Sequence, residues 1–282
     1  MTEKLEKLSL DYVLSKADAL PALPQIVTRI LESLADDAAS VDMLSEHISG
    51  DPTVSVRILG AANAGAFGGH AIQSLKQAIL LLGLSRVREI TLATAIIERY
   101  TAQPPFDAHK LWLHSLGVAV CARDIALYAG YDADAAAVAG LLHDIGQLLL
   151  FGVQPLPYVA ALRFKDERDI GIIEAEQEVL GVDHAQVGAA LVRLWHLPEP
   201  VAAAIGGHHT IEGDGPGSEI ADVVHVAEVL SHALNLGNLE NNRVPSLSDI
   251  AVARLGIDWS EFAEHFPRIE ARFDGARTTL GL

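Results

Sequence analysis

The sequence predicts an all-α protein in two helical parts, on three observations. Apolar residues recur every three to four positions through nearly every segment. The alternation of a half-buried strand is absent. Residues counted as hydrophobic make up 50% of the chain but aromatics only 5%, so its bulk is Ala, Leu, Val and Ile. Small aliphatic side chains at helical period suit closely packed helices.

The elements follow in order. After Pro24, which suits a first helical turn, Ile26, Ile30, Leu31 and Leu34 share a face. Ser40 can cap the segment holding Met43, Leu44 and Ile48. Asp51-Pro52 is a cap and first-residue pair, followed by Val54, Ile58, Leu59 and Ala62. Ser74 opens Leu75, Ala78, Ile79 and Leu82, stopped by Gly83, and Ser85 opens the next helix through Tyr100. The link TAQPPFD, with Pro104-Pro105, breaks helix and divides 1–105 from 106–282. Beyond it, helices are predicted at about 108–129, 133–150, 155–165, 170–180, 184–196, 199–209, 218–236 and 247–254. The Gly-rich stretch 211–218 is a loop, and the tail after residue 257 is charged and mixed, with helix in some of it.

Composition narrows the function classes. With 37 acidic and 20 basic side chains the formal net charge is −17. That disfavours direct nucleic-acid binding and an anionic membrane surface, because both need a positive face. Cys121 is the only cysteine, so no intrachain disulfide can form and a reducing cytosol is the natural setting. The N-terminal MTEKLEKLSLDYVLSKAD lacks the apolar core of a signal peptide. No uncharged apolar run approaches the ~18 residues of a membrane span. The expectation is a soluble, cytoplasmic protein with no membrane partner.

The chemistry concentrates between residues 110 and 235. AVAGLLHDIGQLLLFG (137–152) sets His143 beside Asp144 in an apolar run, where both are costly to bury without compensation. His114, His184, His208, His209, His225 and His232 lie in the same part. Imidazole and carboxylate suit Zn, Fe, Mn and similar ions, whose ligands come from separate rigid elements. Neighbours on a helix point about 100° apart, and at a helix end that angle lets both His143 and Asp144 reach one ion. His114 shares a stripe with Gly117, His143 with Gly140 and His184 with Gly188. Glycine costs a helix roughly 1 kcal/mol against Ala, so the coincidence points to close helix approach that draws the imidazoles together. One histidine on an apolar stripe is more often a hydrogen-bonded core residue. The set His114, His143, Asp144, His184, His208 and His209 points instead to a convergent polar site. Glu228 is a further carboxylate ligand; His225 and His232, at −3 and +4 on its face, read equally as solvated. His47, His70, His109, His196 and His265 read as ordinary histidines.

These residues resemble a known superfamily. His114, LLHDIG (141–146), His184, GGHH (206–209) and the acid of VHVAEVL (224–230) are similar to HD metal-dependent phosphohydrolases. Their spacing is like that of the HD-GYP branch, which hydrolyses cyclic dinucleotides at a two- or three-metal helical site. LPALPQIVTRILESL, SEHISGDPTVSVRILGAANAGAFG and SLKQAILLLGLSRVREITLA resemble the HDOD family, HD-related output domains of bacterial signalling proteins, over about residues 18–232. The resemblance implies an N-terminal helical bundle (1–105) packed against a C-terminal HD-like helical domain with an extension (106–282). It assigns metal-ligand roles to His114, His143, Asp144, His184, His208 and His209, with Glu228 where the superfamily has Asp. The implied cofactor is divalent Fe, Mn, Zn or Mg, as one or two ions.

The departures from the enzymes are specific. Gln147 stands where HD-GYP enzymes carry Lys. Lys110 stands where three-metal members carry an acid, and TIEGDGPGS replaces the GYP loop, with Thr210 for Glu. Losing one positioned electrostatic donor typically costs ~10²–10³ in rate. The reading is therefore a regulatory protein that acts by ligand or protein binding, with a signalling protein as partner and a nucleotide as candidate ligand. The alternative is a phosphohydrolase acting on a cyclic dinucleotide or another phosphodiester. In that case Asp144 would be catalytic, and Arg163, Lys165 and Arg193 would be candidates for the missing charge.

Overall fold

The computed structural model of the chain describes residues 7–16, 40–64, 72, 74–97, 107–195, 197–211, 218–237 and 242–280, and no strand occurs among them. In chain order the helices are α1 (Leu10–Ser15), α2 (Val41–Ser49), α3 (Pro52–Ala64), α4 (Leu75–Leu82), α5 (Leu84–Ile97), α6 (Ala108–Ala129), α7 (Ala133–Leu142) and α8 (Ile145–Val153). They continue with α9 (Pro155–Arg168), α10 (Ile172–Val179), α11 (His184–Leu194), α12 (Glu199–Gly207), α13 (Ser218–Ala233), α14 (Asp249–Leu255), α15 (Trp259–Phe262) and α16 (Phe266–Leu280), with a 3-10 turn at Ala263–His265. The chain is all-α. It divides into two compact units, one of Met1–Pro21 with Ala102–Ile269, the other of Ala22–Thr101 with Glu270–Leu282. The face after Pro24, the polyproline link and most of the 211–218 loop lie outside the described residues.

In the smaller unit, local chemistry sets the helix ends. Ser40 Oγ accepts from the Met43 amide at 3.2 Å, and Asp51 Oδ1 accepts from the amides of Thr53 and Val54 at 2.9 and 3.1 Å. Each such cap is worth about 1 kcal/mol. Ser74 sits at its cap position without a side-chain bond, and Gly83, at φ +78°, ends α4 so abruptly that α5 starts at Leu84, one residue before the expected Ser85. The core gathers Leu44, Ile48, Val54, Ile58, Ala62, Ala78, Ile79, Val87 and Ile90. Burying each large aliphatic side chain contributes about 1.5–3 kcal/mol.

The larger unit is organised by glycines at helix crossings. A Cβ on Gly117 of α6 would collide with Ser231 Oγ of α13, and one on Gly140 of α7 would lie 3.0 Å from the Ala119 Cα of α6. At Gly188 of α11 it would meet Ile205 of α12 at 3.1 Å. The tightest crossing belongs to Gly146, where a Cβ would run into the His184 carbonyl. Neighbouring groups therefore crowd the three glycines expected and a fourth that was not, with backbone nearest at Gly140 and Gly146 and side chains nearest at Gly117 and Gly188.

One expectation is corrected. The single helix anticipated over 133–150 is α7 and α8, broken at His143-Asp144: Asp144 has φ −99° and ψ 9°, and His143 folds back so that its Nδ1 donates to the Gly140 carbonyl at 2.8 Å. The tail after residue 257 is helical almost throughout. The stretch Ala133–Val153 is long and apolar enough to cross a membrane by composition, yet 83% of its most apolar window is buried within the protein. Its apolarity is that of a core.

Candidate metal centre

Five elements of the larger unit each bring part of the site. The break after α7 delivers His143 and Asp144. Asp183 caps α11 by accepting from the Gln186 amide at 2.8 Å, which sets His184 at the first helical position. The end of α12 delivers His208 and His209, α6 delivers His114, and α13 delivers Glu228 and His232.

The side chains meet at short range. His143 Nε2 lies 3.2 Å from His114 Nε2 and 3.3 Å from Asp144 Oδ2, while the other oxygen, Oδ1, lies 3.1 Å from His184 Nε2. His184 Nε2 lies 3.2 Å from His209 Nε2, and the His208 ring sits 5.1 Å from His143, 5.5 Å from His184 and 4.0 Å from His209, centroid to centroid. Among the described residues, three sets each place one donor atom per residue within 4.8 Å of the others: His184, His208 and His209; His114, His143 and Asp144; His114, Glu228 and His232. All seven residues singled out in the sequence fall in these sets.

What lies behind the rings fixes their protons. Nδ1 of His143 faces the Gly140 carbonyl, Nδ1 of His208 the Ile205 carbonyl at 2.7 Å, and Nδ1 of His184 the Glu176 carboxylate at 2.7 Å. Carbonyls and carboxylates only accept, so each Nδ1 carries the hydrogen and Nε2 is left to face the cluster. Glu176 Oε2 also accepts from the His184 amide at 2.8 Å. A carboxylate or carbonyl behind a histidine is the usual arrangement for orienting a metal ligand.

Burial and neighbouring charge sort the groups into two kinds. Burial and the adjoining imidazoles push His208 well below the ordinary imidazole range; burial, then His143, takes His114 down to about 3, and burial, then His184, takes His209 down to about 3. Those three rings are neutral. Burial also opposes charge on His143 and His184, but the Asp144 carboxylate lifts the first above its ordinary value, and Glu176 with Asp144 lifts the second well above. Asp144, despite its burial, is held well below the carboxylate range by His143 and His184. Glu228, half-buried on α13 and lining a cavity, is raised by burial to about 7.

These residues fit a divalent ion. His208 is fully buried and its Nε2 has no hydrogen-bond partner. An unpartnered buried nitrogen costs about 1–3 kcal/mol, and a cation among these lone pairs would satisfy it. Nitrogen and carboxylate donors on separate helices suit Zn, Mn or Fe.

Other residues sort differently. His225, left undecided between site and solvent, is half-buried: its Nδ1 donates to the His208 carbonyl at 3.2 Å and its Nε2 accepts from the Ser248 amide at 3.1 Å, so both nitrogens are engaged. His232, equally undecided in the sequence, belongs to the third set. Arg193 grips Glu199 through contacts of 2.5–3.2 Å, whereas Lys165 lines the cavity beside the centre. Lys110 is exposed in the first turn of α6. His265 stacks on Phe262, and His70 and His196 lie outside the described residues. Glu176 was missed altogether; its one signal is an acid beside buried Ala175 in an otherwise amphipathic segment.

Residues 20–211 match the HDOD domain. The chain belongs to the HDOD family. Among solved structures, an HDOD domain protein of unknown function from Geobacter sulfurreducens is 27% identical, with a TM-score of 0.75 over 95% of this chain and 97% of that one. A Shewanella amazonensis protein, whose name proposes a phosphohydrolase, shares the fold at 24% identity and a TM-score of 0.78, over 95% of this chain and 97% of that one. An uncharacterized protein of Treponema pallidum is 24% identical over 207 residues, 71% of this chain but only 39% of that protein's length.

Proposed function

We propose that this HDOD protein is a cytosolic signalling component whose His–Asp centre holds a divalent ion and whose adjoining cavity receives an anionic ligand, a nucleotide among the candidates, without turning it over. A signalling protein is the expected reader of the liganded state. Gln147 carries the reading. It occupies the position where the similar HD-GYP enzymes have Lys, and its Oε1 accepts from the hydroxyl of fully buried Tyr158 at 2.9 Å. It is neutral and already engaged, so it offers no charge to a phosphoryl oxygen.

The cavity supports ligand binding. It measures about 1250 Å³, and its lining includes His209, Glu228 and His232 of the centre, the cations Lys7, Lys165, Arg168 and Arg243, and the acids Glu174 and Glu178. Arg243 pairs with Asp169 at 3.0 Å and Lys165 with Asp166 at 3.7 Å, all substantially exposed. Exposed pairs of this kind are worth 0–1 kcal/mol, which an incoming anion can displace. A bound divalent ion supplies positive charge that draws and polarises such a group.

The same Lys165 and Arg168 favour a second reading, a phosphohydrolase in which Asp144 positions the attacking water and these cations replace the missing Lys. Metal content of untagged protein, with His143→Ala and Asp144→Ala beside it, separates the readings when paired with turnover assays. The substrates are cyclic dinucleotides and generic phosphodiesters with added Mn²⁺. The expected result is a metal complement that both variants lose, with no turnover above background. Turnover that vanishes in folded Asp144→Ala would establish the enzyme instead.

A further inference from the structure

We propose that His232 is a metal ligand, and that with His114 and Glu228 it forms a second cation site beside the His184–His208–His209 group. This rests on the ion-binding reading of the centre above. The three residues each place a donor atom within 4.8 Å of the others. An ion that sits about 2.0–2.2 Å from each donor spans nearly that distance, so small side-chain shifts close the site. Two imidazoles and one carboxylate suit Fe²⁺, Mn²⁺ or Zn²⁺.

Three further observations separate His232 from a bystander. Its ring is clamped: Nδ1 faces Asn242 Oδ1 at 2.5 Å, while Asn242 Nδ2 donates to the His232 carbonyl at 2.7 Å. The second bond fixes which end of the amide is oxygen, so Nδ1 of His232 carries the hydrogen and Nε2 keeps its lone pair. His143, His184 and His208 likewise turn Nδ1 toward an acceptor. Glu228 lies four residues before His232, so both leave one face of α13. Across from them, the His114 ring stands 4.8 Å away from that of His232, and its buried Nδ1 has no hydrogen-bond partner. Glu in place of Asp extends the carboxylate by one methylene. Because Glu228 and His232 line the cavity, the ion they hold is one that an anion arriving past Lys165 and Arg168 would meet.

Equilibrium dialysis of the untagged full chain against Mn²⁺ tests this. The wild type is expected to hold about two ions, His232→Leu about one, and His232→Asp, which restores a donor, about two again. A wild type whose bound Mn²⁺ is unchanged in folded His232→Leu overturns the second site and leaves the centre standing. A wild type that binds no Mn²⁺, Zn²⁺ or Fe²⁺ overturns the centre itself. If His232→Leu loses its helical circular dichroism, Asn242→Ala takes its place. Freeing the ring should weaken the second ion about 10-fold or more with the first unaffected, and equal affinities for both ions in that variant would refute the assignment.

Discussion

At Glu176, orientation of a ligand can be separated from ligation. The residue is fully buried, and one oxygen receives both the Nδ1 and the backbone amide of His184. Replacing it with Gln keeps the volume and an accepting oxygen but removes the charge that makes His184 Nε2 a better donor. Outer partners of metal-bound histidines typically account for 10–100-fold in affinity. Glu176→Gln is therefore expected to weaken ion binding about 10–100-fold in a chelator competition, and His184→Ala to weaken it further. Equal affinity in Glu176→Gln and wild type would mean that His184 is not a ligand. This contact was hidden in the sequence because the loop between Val179 and His184 interrupts the helix, so helical period says nothing of how the two residues meet. The two histidines flanking Glu228 were undecided for a related reason. Positions −3 and +4 fall on the same side of it, about 20° apart on the helical wheel, so the period does not divide them, and only the packing of α13 sets His232 against His114 and His225 against Ser248.

Helix crossings set the precision with which those side chains meet. At Gly146 the neighbouring backbone leaves no room for a methyl group, whereas a Cβ on Gly60, in the exposed interior of α3, meets nothing within 4 Å. Gly146→Ala must push α8 from α11 and is expected to destabilise the larger unit by about 1–3 kcal/mol, the usual cost of overpacking, or more. Gly60→Ala should stabilise the smaller unit by about 1 kcal/mol. Urea unfolding monitored by circular dichroism compares them, and opposite signs are the expected result. A neutral Gly146→Ala would show that the α8–α11 approach is not needed. Gly117, Gly140 and Gly188 were legible because glycine opposes helix formation and needs a packing reason. Gly146 was not, because the apolar run around it reads as one continuous helix. The break at His143-Asp144 depends on tertiary contacts, while the ends at Ser40, Asp51 and Gly83 are written in local cap and turn chemistry and were read correctly.

Over the whole molecule, the stability of the larger unit and occupancy of its centre should be linked, and Cys121 offers a way to measure the link. It is the only cysteine in the chain, lies at 0% exposure on α6, and burial, followed by nearby Asp124, pushes its thiol far above the ordinary range. A thiol reagent needs the thiolate and access to it, so modification should require the unit to open. At mildly alkaline pH a disulfide reagent is therefore expected to react slowly with the native protein and stoichiometrically in urea. Because α6 also carries His114, an ion bound across α6, α7, α11, α12 and α13 would stabilise the closed form by about 2.7 kcal/mol at one hundred times its dissociation constant. That corresponds to roughly 100-fold slower labelling where opening limits the reaction. Mn²⁺ should slow labelling of the wild type by this order and leave Asp144→Ala unaffected. Native labelling at the urea rate would contradict the burial of α6, and slow labelling indifferent to Mn²⁺ would place ion binding outside the core that holds the helices together.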